Sequence, residues 1–134
     1  MERPWANIPI KDCGESLQNL PQLIHRQEPH PYLSLGAPYS DGSNPWRVRS
    51  GLIPLLIKAQ TYLQKLNSEF RLSIFDAWRP ISVQSFMIEY SIDQECNLRG
   101  INRNNPSQEI EVQKVIKDVS TFWAPPNLDP LCPP

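Results

Sequence analysis

The chain has 134 residues, of which 40% are hydrophobic and 20% are charged, which is typical of one globular domain with a modest core. Its net charge of −1 excludes the basic footprint of a nucleic-acid-binding domain. No run approaches the roughly 20 apolar residues of a membrane span, and the N-terminus lacks the apolar segment of a signal peptide. These properties predict a cytoplasmic protein without a nucleic-acid or membrane partner.

The first 50 residues carry seven of the 15 prolines, which predicts extended segments and turns instead of long helices. Asp41-Gly42 at the centre of 39–44 predicts a turn, with a β-hairpin as one outcome. Tyr32, Tyr39 and Trp46 either line a small-ligand pocket or pack this arm onto the core. Packing is the more common role of aromatic residues in such an arm.

Two predicted elements follow the arm. Apolar residues at helical spacing predict an amphipathic helix with Pro54 in its first turn, namely Leu52, Leu56, Ala59, Leu63 and Leu66. In the next stretch Phe70, Leu72 and Ile74 alternate with other residues, which predicts a strand ending near Asp76. The first element is scaffold, and the second leads into the most informative turn of the chain.

Arg79 lies at the end of that turn, because Pro80 suits the first position of a helix. A guanidinium donates up to five hydrogen bonds in a fixed fork, so Arg79 is suited to clamp a carboxylate or an oxyanion. Alternatively, Asp76 and Arg79 pair across their own turn and only fix the corner. The spacing leaves both interpretations open.

Two further helices are predicted. The first carries an apolar face of Val83, Phe86, Met87 and Tyr90, with Gln84 off that face as either an assisting residue at the site or a solvated one. Charge and Gly100 predict a helix end and a surface loop within 91–105. Asn105 then caps a second helix, with Gln108 placed to reach back to the cap. The tail 124–134 is too rich in proline for regular structure, and is either a polyproline ligand or a loosely held loop.

Metal and serine chemistry have little support within the chain. His25 and His30 have no Asp or Cys at a spacing that would complete a zinc site. The three cysteines are scattered without Cys-x-x-Cys spacing and are expected to be reduced thiols. No Gly-x-Ser-x-Gly elbow occurs. No metal ligand is therefore predicted.

The run Ile74-Phe75-Asp76-Ala77-Trp78-Arg79-Pro80, followed by Val83-Gln84 and Phe86-Met87, resembles the D-alanyl-D-alanine dipeptidase family of zinc peptidases. The segments His30-Pro31-Tyr32 and Gly36-Ala37-Pro38-Tyr39 also resemble that family's N-terminal region. The resemblance implies zinc-assisted hydrolysis of the D-alanyl-D-alanine dipeptide in cell-wall metabolism, with Arg79 stabilising the transition state. Asp76, Tyr39 and Gln84 are the substrate-binding or orienting candidates.

One departure from the family is large. Its zinc-binding segments, Ser-x-His-x-x-Gly-x-x-x-Asp and Glu-x-x-His, do not occur in the sequence. The chain therefore resembles the N-terminal part of such an enzyme, is expected to bind no zinc and to be inactive alone, and has a C-terminal remainder of the enzyme as an expected partner. The alternative is a non-catalytic module that binds a peptide or carboxylate through Arg79 and nearby aromatic residues.

These observations predict an α+β fold with helices packed on a small antiparallel sheet, forming an incomplete domain. The single domain 1–134 is expected to comprise a proline-rich arm (1–50), a helix-strand-helix-helix core (51–123) and a proline-rich tail (124–134).

Overall fold

The computed structural model describes residues 8–9, 11–40 and 44–124. The elements in chain order are β1 (Leu17–Asn19), β2 (His25–Arg26), α1 (Pro31–Ser34), β3 (Arg47–Arg49), α2 (Leu52–Leu66), β4 (Ser73–Ile74), α3 (Ile81–Leu98), a 3₁₀ turn (Pro106–Gln108) and α4 (Glu109–Phe122). The predicted α+β class is confirmed. Among the described residues, no helix is long and apolar enough to cross a membrane.

Contacts divide the described residues into two compact units. The first unit comprises the residues up to 30 and 44–78, and the second comprises 31–40 and 79–124. The sequence-based division into arm, core and tail stays a prediction.

The first unit contains two short strand pairs. β1 and β3 are antiparallel, with Leu17 opposite Arg49, whereas β2 and β4 are parallel, with His25 opposite Ser73. The predicted antiparallel sheet is therefore correct for one pair, and the strand of the Arg79 motif belongs to the parallel pair instead.

β4 is shorter than the strand predicted from Phe70 onward. Its partner β2 lies between Pro21 and Pro29, and proline cannot donate to a strand ladder, so the pairing stays short. At the start of the stretch, the backbone is hydrogen-bonded to the side chain of Gln60 and not to a neighbouring strand. The Leu72 N–H donates to Oε1 of Gln60 (2.6 Å), and Nε2 of Gln60 donates to the Phe70 carbonyl (3.3 Å). Phe70, predicted on the apolar face, is exposed.

α2 has the predicted bounds but a different inner face. Ile53 and Leu56 pack on the buried cluster of Leu20, Ile24, Trp46 and Val48. Leu52 and Leu66, predicted to face the core, are exposed, whereas Gln60 is fully buried. The inner face is therefore rotated relative to the predicted stripe and includes Gln60, whose Oε1 satisfies the Leu72 N–H.

The start of α2 depends on the arm. Its N-cap residue Gly51 provides no side-chain cap, and the Gly51 N–H instead donates to Oε2 of Glu15 (2.7 Å). A Cβ at position 51 would lie 2.7 Å from that carboxylate, so glycine allows the close approach. The Ser50 N–H also donates to the Ser16 carbonyl, next to the β1–β3 pair. The arm therefore caps the helix.

The second unit is built on α3 and α4. Val83 and Met87 of α3 pack with Tyr32 and Ala37, and a second cluster joins the two helices through Ile92, Cys96, Val115 and Val119. α3 extends to Leu98, so the helix end and the surface loop predicted within 91–105 are confirmed, with the end in the second half of that range. Ile92 and Cys96 continue its buried face, and Gly100, with φ of 66°, follows the helix end.

The 3₁₀ turn that leads into α4 begins as the sequence predicts, with one difference. The Asn105 side chain accepts from the Ser107 N–H and Pro106 occupies the first position of the 3₁₀ turn that leads into α4. Gln108 does not reach back to the Asn105 N–H but accepts from the Asn102 N–H (2.9 Å). Residues 41–43 at the centre of the turn predicted over 39–44, and residues 125–134 of the predicted tail 124–134, lie outside the described residues.

Candidate functional site

Arg79 is held by aromatic and polar side chains of the second unit. Its Nη2 donates to the Tyr32 hydroxyl (3.0 Å) and its Nη1 donates to Oε1 of Gln84 (2.6 Å). The guanidinium carbon lies 4.9 Å from the centre of the Tyr32 ring and 5.1 Å from that of Trp123, within the range of cation–π attraction. The arginine that the sequence placed at an element end is therefore fixed by defined contacts.

Gln84 has a second partner besides Arg79. It lies in the first turn of α3, where its N–H donates to the Pro80 carbonyl (3.0 Å). Its side-chain Nε2 donates to the Ala124 carbonyl (2.6 Å), just after the end of α4. Gln84 thus links the guanidinium to the segment that follows α4.

An open cavity of about 470 Å³ lies beside these groups. It is lined by Tyr32, Arg79, Gln84, Phe122, Trp123 and Ala124. Phe122, the last residue of α4, is 88% exposed. Tyr39 packs against the cluster containing Tyr32 and Val83. A cation and aromatic surface together can accommodate a small ligand with an anionic group.

Asp76 is described within the first unit, where it lies beside a buried histidine. Its Oδ1 is 3.6 Å from Nε2 of His30, which is only 3% exposed. The His30 ring meets the edge of Trp46, with ring centres 4.9 Å apart. The Asp76–His30 pair was not predicted, because 46 residues separate the two in the sequence.

The family resemblance implies zinc, and zinc requires several ligand side chains close together. Catalytic zinc usually has three protein ligands. In the ranges 8–9, 11–40 and 44–124, no three His, Cys, Asp or Glu side chains form a group that could hold a metal ion. His30 and Asp76 are two potential ligand side chains that lie close together, with 3.6 Å between Nε2 and Oδ1. The described residues therefore do not make up a zinc ligand set.

The sequence named Arg79, Asp76, Tyr39 and Gln84 as candidates, and the structure brings Arg79 and Gln84 into direct contact. Sequence reasoning did not assign Tyr32 or Trp123 to Arg79. Both are aromatic residues near prolines, for which packing is the usual role, and both do pack in the second unit. Their additional contact with a cation has no short-range sequence signal.

The fold and the site define an α+β protein in which an arginine, held against aromatic rings, lies in the turn between a short strand and a helix. Along 134 residues the chain is 34% identical to a protein named D-alanyl-D-alanine dipeptidase from Synechocystis sp., which confirms the resemblance seen in the strand-turn motif. The match covers 98% of this chain and 53% of the relative, so the chain spans about half the relative's length. No family model and no solved structure matches the chain.

Proposed function

We propose that this chain is the substrate-binding portion of a D-alanyl-D-alanine dipeptidase and that Arg79 binds the anionic group of the dipeptide or of the species formed as it is hydrolysed. The observation that carries the proposal is the fixed guanidinium, with Gln84 on Nη1 and the Tyr32 hydroxyl on Nη2. The name of the relative supports the choice of substrate.

The chemistry of the proposal depends on preorganisation. An arginine that is already oriented loses little further freedom when it meets a negative charge, so its attraction is retained as binding or transition-state stabilisation. Loss of such a donor typically costs about 10²–10³ in rate at comparable sites. In the cavity beside Arg79, the aromatic rings would cover the aliphatic parts of a dipeptide.

Zinc enters this proposal through the family resemblance alone. We expect its ligands to come from outside the described residues. In cell-wall metabolism the substrate would be the free D-alanyl-D-alanine dipeptide, and the predicted location in the cytoplasm is part of the same proposal.

The test is dipeptide binding by the 134-residue protein, measured by titration calorimetry. We expect D-alanyl-D-alanine to bind more tightly than its C-terminal amide, because the amide removes the charge that Arg79 recognises. Arg79→Lys should weaken binding, since lysine keeps the charge but loses the planar fork. Equal affinity of wild type and Arg79→Lys, with both proteins folded, would show that Arg79 only fixes the corner.

Metal content is a second measurement. We expect the purified, dialysed chain to contain no stoichiometric zinc and to cleave no D-alanyl-D-alanine, since two histidines are present and the described residues form no ligand set. Elemental analysis and a dipeptide hydrolysis assay measure both. One tightly bound zinc per chain, together with turnover in the absence of any second polypeptide, would contradict this prediction.

A second candidate is a binding module that never hydrolyses its ligand. The contacts between Arg79 and the rings of Tyr32 and Trp123 favour it equally, because an arginine with aromatic neighbours also suits retention of a peptide carboxylate. Hydrolysis separates the two candidates. We expect the chain combined with the part of the Synechocystis relative that it does not match to cleave the dipeptide if the first is correct.

A further inference from the structure

We propose that Gln84 and Trp123 are positioning residues for Arg79, and that the segment 123–124 at the end of α4 sets the orientation in which the guanidinium meets its ligand. This inference rests on the proposed function only in taking that ligand to be an anionic group. The inference adds Gln84 on α3 and Trp123 after α4 to the site, whereas Arg79 itself lies before α3.

Gln84 can hold Arg79 in only one amide orientation. Its oxygen accepts from Nη1 of Arg79, and its NH₂ group donates to the Ala124 carbonyl, both at 2.6 Å. Exchanging the two ends would place an amide donor against the guanidinium, which has only donors, and an oxygen against a carbonyl. The side chain is therefore locked from both ends.

Trp123 restricts the guanidinium from another direction. Its ring centre lies 5.8 Å from that of Tyr32, and the guanidinium carbon is 5.1 Å and 4.9 Å from the two. These three distances place both rings on the same side of the cation, with the two ring planes tilted by 58° to each other. The rings therefore do not enclose the guanidinium from opposite sides. They restrict it on one side while Gln84 restricts its rotation through Nη1.

The two restraints meet in one short segment. Trp123 contributes the ring, and Ala124 contributes the carbonyl that holds Gln84. The N–H of Trp123 donates to the Val119 carbonyl (2.9 Å), and Val119 is buried where α3 and α4 pack. The segment is thereby tied to the helix core, and the position of Arg79 follows from the packing of two helices.

The variants that test this are Gln84→Met, which keeps the length but loses both polar ends, and Trp123→Leu, which removes the aromatic ring. Gln84→Glu keeps the acceptor for Arg79 but loses the donor to the Ala124 carbonyl, so it separates the contribution of the two ends of the side chain. Gln94→Met is the matched control, because Gln94 is exposed on the same helix. Thermal unfolding establishes that each variant is folded.

The primary measurement is the rotation rate of the Arg79 guanidinium, from nitrogen-15 NMR of the arginine side chains, with the resonance assigned by its loss in Arg79→Lys. We expect restricted rotation in wild type, Gln84→Glu and Gln94→Met, and faster rotation in Gln84→Met and Trp123→Leu. The second measurement is affinity for D-alanyl-D-alanine, which should fall about tenfold in Gln84→Met, as expected for loss of a charge-assisted contact.

The outcomes separate the two proposals. Unchanged rotation in folded Gln84→Met and Trp123→Leu overturns the positioning roles, whatever the affinity. Faster rotation in both supports the positioning roles even if wild type fails to bind the dipeptide, in which case the proposed function alone fails. If Gln84→Met does not fold, the rotation rate in Trp123→Leu decides the result, with Gln94→Met as the folded reference.

Discussion

Gln60 in the first unit and Gln84 in the second are the same residue type on amphipathic helices, each bridging two polar groups. Gln60 is fully buried and joins two backbone groups, the Phe70 carbonyl and the Leu72 N–H. Gln84 is only partly buried and joins a charged side chain to a carbonyl. The comparison indicates that burial determines how much such a bridge contributes to stability, because a polar group that loses its partner is costly only where water cannot reach it.

The largest effect is expected from Gln60→Met. Methionine matches the length of glutamine but leaves the Leu72 N–H without this partner, whereas the Phe70 carbonyl keeps its hydrogen bond from Nη1 of Arg71. The loss of the Leu72 partner should lower the free energy of unfolding by about 1–3 kcal/mol. Denaturant unfolding measures it, with Gln94→Met as the exposed control. A loss no larger than that of the control would show that water or a backbone shift replaces the bridge.

A smaller effect on stability is expected from Gln84→Met, about 0.5–1 kcal/mol, because the groups it leaves retain access to solvent. The same denaturant experiment applies, so the two glutamines are compared directly. If Gln84→Met destabilised the protein as much as Gln60→Met, the distinction between a structural and a positioning bridge would not hold.

The smallest effect extends the comparison to a fully exposed contact. The Gly14 N–H, followed by Arg49, lowers the pKa of Asp12. Because the folded pKa lies below the unfolded one, the stabilisation is present above the unfolded pKa, near 4, and is lost as pH falls through the folded value. The difference in unfolding free energy between wild type and Asp12→Asn should therefore be small and should shrink further on acidification. A difference that grew toward low pH would contradict the lowered pKa.

Local signals in the sequence predicted much of the fold. Pro80 marked the start of α3 and Asn105 that of the 3₁₀ turn leading into α4, and the bounds of α2 follow its apolar periodicity. The inner face of α2 could not be predicted, because Gln60 is a polar residue that lies off the apolar stripe. Its burial accompanies hydrogen bonds to backbone groups ten and twelve residues away. Hydrophobic periodicity identifies a helix more reliably than it identifies the inner face when a polar residue has a buried role.

The residues of the candidate site likewise differ in whether the sequence could predict them. Arg79 and Gln84 are five residues apart, and the helix start between them was sufficient to name both. Tyr32 precedes Arg79 by 47 residues and Trp123 follows it by 44, so their contacts with the guanidinium depend on the packing of the second unit. Sequence reasoning therefore found Arg79 and Gln84 but not the two aromatic residues that contact the guanidinium.

Because of the contact between Glu15 and Gly51, the start of α2 depends on a part of the chain that is distant in sequence. The two residues are 36 positions apart, and the chain between them must close into a loop before the first turn of α2 gains its cap, so part of the helix is formed by a non-local event. α2 excised as a peptide would lack that cap and fray at its N-terminus. Shortening the arm past Glu15 would similarly loosen the helix that carries Gln60, at a distance from every residue removed.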